Sequence, residues 1–151
     1  MDDDRTTPRA DTPSERLRAL DRLTGTWRLS GDAEGTVRFE WLDGRFFLLQ
    51  HVDLVHDGRH VRGVEVIGHE RRFGEAPSED VRSRFYDAEG NTLDYVYELD
   101  GDVLTIWGGE KGSPAYCTCR FGEGGDTMTA RWVWPGGGYE TVATRIAADM
   151  P

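Results

Sequence analysis

The chain has 151 residues, and 28 Asp and Glu against 18 Lys and Arg leave it at −10 near neutral pH. That length supports one domain with a substantial core, and the acidic balance argues against nucleic acid or an anionic membrane as the main partner, since both need a basic footprint. No apolar run approaches the ~18 residues of a membrane span, and the opening M-D-D-D-R-T-T-P-R is too polar for a secretory signal, so a cytoplasmic protein is expected.

Residues 1–11 carry little to bury and read as a disordered tail, which leaves 12–151 as a single domain. Thr12 suits a helix N-cap, Pro13 the first helical position, and Glu15 the third position of a capping box. Leu17, Leu20 and Leu23 then form an apolar stripe, so a short amphipathic helix is predicted, ending near Thr24-Gly25. From Gly25 the alternation is two-residue. Strands are predicted near 25–31, 35–42, 45–55, 59–69, 80–87, 91–99, 102–108, 114–122, 126–134 and 139–147, separated by Gly-, Asp- and Pro-rich turns. About ten antiparallel strands behind one helix fit an all-β, up-and-down barrel, with a two-sheet sandwich as the alternative.

Two Asp-Gly pairs, Asp43-Gly44 and Asp57-Gly58, set the register of the central strands. As two-residue loops they place Trp41 opposite Phe46, Phe39 opposite Leu48, Gln50 opposite Glu65 and Phe46 opposite His69. Val37, Phe39 and Trp41 fix the inner face, because Arg38 and Glu40 belong outside, and a one-residue slip would invert every side chain. Gln50, Glu65 and His69 then point inward among Phe39, Trp41, Phe46, Leu48 and Ile67. A buried carboxylate costs several kcal/mol unless it is hydrated, hydrogen-bonded or protonated, so Glu65 needs a partner such as Gln50 or a wet interior. A rim pair of Gln50 with Glu65 would also satisfy the pattern. Four residues at ~3.3 Å each hold Glu65 and His69 ~13 Å apart, too far for direct contact along the strand.

Around Asp100-Gly101, Leu93, Tyr95, Tyr97, Leu104 and Ile106 share a face that reads as interior. Cys117 and Cys119 also point inward, as do Met128, Ala130, Trp132 and Trp134. Two thiols on one strand are ~6.6 Å apart along the backbone, so they are expected to be free, and their apolar surroundings make them core residues rather than nucleophiles. The histidines His51, His56, His60 and His69 fall on different faces, so no metal and no cofactor is expected. The Gly108–Ser113 stretch has no helix after it and reads as a strand connection near the barrel mouth rather than a phosphate loop. Trp134 and Tyr139 could form an aromatic lip. On the outer face Phe47, Leu49, Val64 and Val66 make an apolar strip that needs a cover, either a second copy in a homodimer or the docked helix.

Leu23-Thr24-Gly25-Thr26-Trp27, a Gly-x-Trp motif after a short helix, together with Arg145 in the last strand, resembles the closed end of the calycins, the lipocalin and fatty-acid-binding-like barrels. The stretch from about Leu17 to Ile146 is most similar to bacterial calycin-like domains of unknown function, with Gly63–His69 and Trp107-Gly108-Gly109 in support. The resemblance implies that Trp27 packs at the barrel floor beside Arg145 and that the barrel holds a small apolar or amphipathic ligand. Haem, bound by nitrobindin-like relatives, would want a late histidine, and none follows His69.

Three readings result. The barrel binds a small apolar or amphipathic molecule, lined by Phe39, Trp41, Gln50, Glu65, His69, Tyr95, Tyr97 and Trp132. Alternatively it is a lipocalin-like isomerase, cyclase or decarboxylase, with Glu65 or His69 as acid–base beside a tyrosine. In the third reading it is a structural or oligomeric barrel with a packed interior.

Overall fold

Ten strands account for the alternation that begins at Gly25. The computed structural model describes residues 12–149, so the tail expected over residues 1–11 lies outside the described residues. The strands are β1 (Gly25–Gly31), β2 (Ala33–Trp41), β3 (Phe47–His56), β4 (Arg59–Gly68), β5 (Val81–Asp87), β6 (Thr92–Asp100), β7 (Val103–Gly108), β8 (Tyr116–Phe121), β9 (Thr127–Trp134) and β10 (Gly137–Ala147). Each pairs antiparallel with its sequence neighbours, and β10 returns to β1, closing an up-and-down barrel rather than a sandwich. Closure leaves no sheet edge with unpaired backbone groups.

The leading helix starts later than its capping pattern suggests. Ser14, rather than Thr12, is the N-cap: its hydroxyl accepts from the Leu17 N–H at 3.1 Å. Helix α1 spans only Glu15–Arg18 and then tightens into a 3-10 turn over Ala19–Leu23. Glu15 directly follows the cap, so it cannot close a capping box, which requires a three-residue separation. The tightening has a clear consequence. Leu17, Leu20 and Leu23 recur at intervals of three, the 3-10 period, and all three are buried in the core cluster that includes Trp27.

These leucines plug one end of the barrel, and Arg145 holds the plug in place. Its guanidinium lies 4.2 Å from the Trp27 ring centroid and donates to the backbone carbonyls of Thr24, Arg22 and Gly125 and to the Asp126 carboxylate. Trp27 in turn donates its indole N–H to the Leu23 carbonyl at 2.8 Å. One cation therefore satisfies carbonyls that the short helix and the β8–β9 turn leave unpaired.

The hairpins keep the expected faces, though one does so by a different loop. Asp57-Gly58 is a two-residue turn with both residues left-handed (φ 52 and 71), so Gln50 pairs with Glu65 and Leu48 with Ile67. Asp43-Gly44 does not close a two-residue loop. Leu42 donates to the Phe47 carbonyl, Gly44 and Arg45 both take positive φ (92 and 62), and Trp41 pairs with Leu48 and Phe39 with Gln50. The loop is thus longer by two residues, an even number, and an even shift leaves inner residues inside. It also puts Phe46 and His69 beyond the ends of β3 and β4, so their expected pairing is not made. In the third hairpin Asp100 pairs with Val103, and the turn falls on Gly101-Asp102.

The helix covers the barrel end and not the outer strip. Phe47, Leu49, Val64 and Val66 remain half-buried on the wall, with the Phe47 ring lying where a side chain on Gly68 would stand. The Gly108–Ser113 connection folds back on the outer wall rather than over the mouth: Arg82 donates to Glu110, and Lys111 pairs with Glu98 at 3.0 Å.

Candidate functional site

The barrel interior is not filled. A cavity of about 300 Å³ runs through it, at the lower end of the range for small-molecule sites. Inward glycines shape its wall. Gly35 sits against Leu54, and Gly63 against the Phe85 ring, where a Cβ would stand 2.8 Å from Leu54 Cβ and 2.7 Å from Phe85 Cζ. With no side chain at either position, Leu54 and Phe85 occupy the wall there and line the space.

One polar cluster interrupts this apolar lining. Glu65 is buried at 4% exposure, and three neutral donors converge on its carboxylate. Gln50, its cross-strand partner on β3, donates from Nε2 to Oε1 at 2.5 Å, and Tyr97 of β6 donates its hydroxyl to the same oxygen at 2.8 Å. Ser83 of β5 donates to Oε2 at 2.5 Å. Strand alternation produces the convergence: Gln50 lies opposite Glu65, Ser83 lies opposite Ile67 on the neighbouring strand, and Val81, Ser83 and Phe85 form the inward series of β5. Burial raises the Glu65 pKa above its ordinary value, while Ser83, Tyr97 and Gln50 oppose that rise by stabilising the charged form. Burial, then the nearby Glu65 charge, push the Tyr97 and Tyr95 hydroxyls well up, so both stay protonated donors at neutral pH.

Among the residues expected to face a ligand, Phe39, Gln50, Glu65, Tyr95, Tyr97 and Trp132 line the cavity, whereas Trp41 and His69 do not. The Trp41 indole donates to the Asp21 carboxylate at 2.8 Å, tying the helical segment to β2. His69 lies past the end of β4, its Nε2 2.7 Å from the Ser14 hydroxyl and its Nδ1 2.7 Å from the Ser78 carbonyl. Nδ1 donates to the Ser78 carbonyl, and the other ring nitrogen bonds the Ser14 hydroxyl. His69 is therefore a pin between the helix cap and the 69–80 loop, and no Glu65–His69 acid–base pair is assembled. Of the groups named for the enzymatic reading, only Glu65 and a tyrosine, Tyr97, meet.

Several residues of the site escaped sequence reasoning. Ser83 was hidden because no turn signal fixed the register of β5. His56 and Tyr139 stack at 4.0 Å between ring centroids and line the cavity at its open end, and Trp134 lies 6.0 Å from Tyr139, so the aromatic lip includes a histidine as well. Burial pushes the Tyr139 hydroxyl up to about 12. Cys117 and Cys119 are free thiols on the wall with sulfurs 3.6 Å apart. Cys119, and then burial, push the Cys117 thiol far up, which removes nucleophilic character. Among the described residues no group of three or more His, Cys, Asp or Glu is placed to hold a metal ion.

Fold and site define an all-β protein: a closed ten-strand antiparallel barrel, plugged at one end, with a hollow interior and a buried carboxylate on its wall. No protein-family model matches the chain, and no curated protein does. Among solved structures it is similar to a de novo designed fluorescence-activating β-barrel, at 16% sequence identity and a TM-score of 0.43, over 84% of this chain and 96% of that one.

Proposed function

We propose that the protein is a calycin-like barrel that binds one small amphipathic molecule in its interior. The apolar body of the ligand lies against Leu54, Phe85, Tyr95 and Trp132, and its polar group meets the Glu65 cluster. The observation that carries this reading is a buried carboxylate on the wall of a cavity of about 300 Å³. Both features work against stability. Unfilled apolar space costs on the order of 20 cal/mol per Å³ when dry, and a buried carboxylate costs several kcal/mol. A barrel selected only for structure would fill the space and replace the charge, and departures from good packing concentrate at functional sites. The stacking of Arg145 on Trp27 under the helix supports the calycin-like assignment.

N-phenyl-1-naphthylamine, a neutral apolar fluorophore, tests the reading, together with native mass spectrometry for co-purified molecules. A saturable, one-site rise in emission is expected. The absence of both a retained small molecule and a saturable rise would contradict it. The same reading takes the outer strip of Phe47, Leu49, Val64 and Val66 as a contact between two copies, because the helix leaves it half-buried.

A further inference from the structure

Glu65 is the one carboxylate among the described cavity-lining residues, and no Lys or Arg lines the space. Its partners Gln50, Tyr97 and Ser83 are all neutral donors. A carboxylate has about four lone-pair positions and three are taken here, so one acceptor position remains. The group is hydrogen-bonded but not compensated in charge. Burial accordingly opposes its ionised form.

This imbalance discriminates between ligands. The fold has already met the cost of desolvating Glu65, so an entering cation has only its own desolvation to offset, and it gains a charge-assisted hydrogen bond in a low-dielectric site. A neutral donor gains a hydrogen bond to the carboxylate but no ion pair. An anion meets repulsion. The surrounding rings point the same way: Phe85 pairs across from Glu65 on β5, and Tyr95 and Trp132 lie 5.8 Å apart between centroids. Aromatic faces attract cations.

We propose that the cavity selects organic cations, small molecules with an apolar body and a protonated primary or secondary amine, the ammonium group donating to Glu65 and the body packing on Phe85, Tyr95 and Trp132. This rests on the ligand-binding reading above, and the test separates the two. Calorimetric titration of the full chain near neutral pH would use three indoles with closely similar bodies: tryptamine (cationic), tryptophol (neutral) and indole-3-acetate (anionic). Tryptamine is expected to bind at least about tenfold tighter than tryptophol, roughly 1.4 kcal/mol, with indole-3-acetate weakest. In Glu65→Gln, which keeps the shape, that gap should close to within about threefold while tryptophol affinity holds. Equal binding of all three, a preference for indole-3-acetate, or a tryptamine preference that survives Glu65→Gln would overturn the inference and leave cavity binding intact. So would failure of all three indoles alongside retained binding of N-phenyl-1-naphthylamine. Failure of all four probes would overturn the ligand-binding reading as well. The wild-type ranking decides by itself if the variant does not fold.

Discussion

Glu65 links the stability of the barrel to the site proposed for its ligand. Because burial raises its pKa above 4.5, the folded protein keeps a proton that the unfolded chain has already lost. The stability associated with this group is therefore complete below about pH 4.5 and is lost as pH rises through the folded pKa. Glu65→Gln removes that loss. It is expected to melt above wild type at neutral and alkaline pH, by on the order of 1–3 kcal/mol, and close to wild type at about pH 4. Thermal denaturation across pH checks this, and a pH-independent difference would contradict it. His69 behaves differently. Its ring spans Ser14 and Ser78 outside the cavity, so His69→Ala should cost about 1–2 kcal/mol by chemical denaturation and leave fluorophore affinity unchanged. The inward direction of Gln50 and Glu65 was legible from alternation alone. That of His69 was not, because alternation says which face a residue takes only while the strand continues, and β4 stops at Gly68.

At the scale of elements, parity was easier to read than length. Strand 2 could not be inverted without burying Arg38 and Glu40, so the inner face survived a loop at Asp43-Gly44 that is two residues longer than its sequence suggests. What the turn residues failed to convey is that Arg45 accepts a left-handed conformation (φ 62), a state sequence rules reserve mainly for Gly and Asn. The helix forms where the leucine stripe predicts, but its start departs from the capping pattern for a related reason: local capping rules favour Thr12, whereas docking of Leu17, Leu20 and Leu23 at intervals of three selects Ser14 and a 3-10 turn. The plug those leucines form depends on Arg145, which joins the helical segment, the β8–β9 turn and Trp27. Arg145→Met keeps much of the stem and removes the charge and donors. It should lower stability by roughly 2–4 kcal/mol in equilibrium unfolding; a loss under about 0.5 kcal/mol would show that the leucine plug holds by itself.

At the scale of the molecule, two apolar surfaces enter the proposed reading differently. The outer strip is a contact in the proposed reading, so light scattering should give about twice the chain mass of 17.0 kDa for wild type and the single-chain mass for Val64→Lys. Wild type that stays at the single-chain mass at high concentration would contradict that contact without touching the cavity. The inner surface carries the central claim. Its existence was not legible in the sequence, because alternation gives the direction of side chains but not whether they fill the space they enclose. Gly35 and Gly63 make room for Leu54 and Phe85 on the wall, and the closure of all ten strands encloses the space. Ala130 lies on the cavity wall between Cys119 and Thr141, where a larger side chain would project into the space. The most direct measurement is therefore a titration of N-phenyl-1-naphthylamine into wild type and Ala130→Phe, with circular dichroism to establish that both are folded. The account predicts saturable one-site binding by wild type and its loss in a folded Ala130→Phe. No binding by wild type, or equal binding by both, would contradict it.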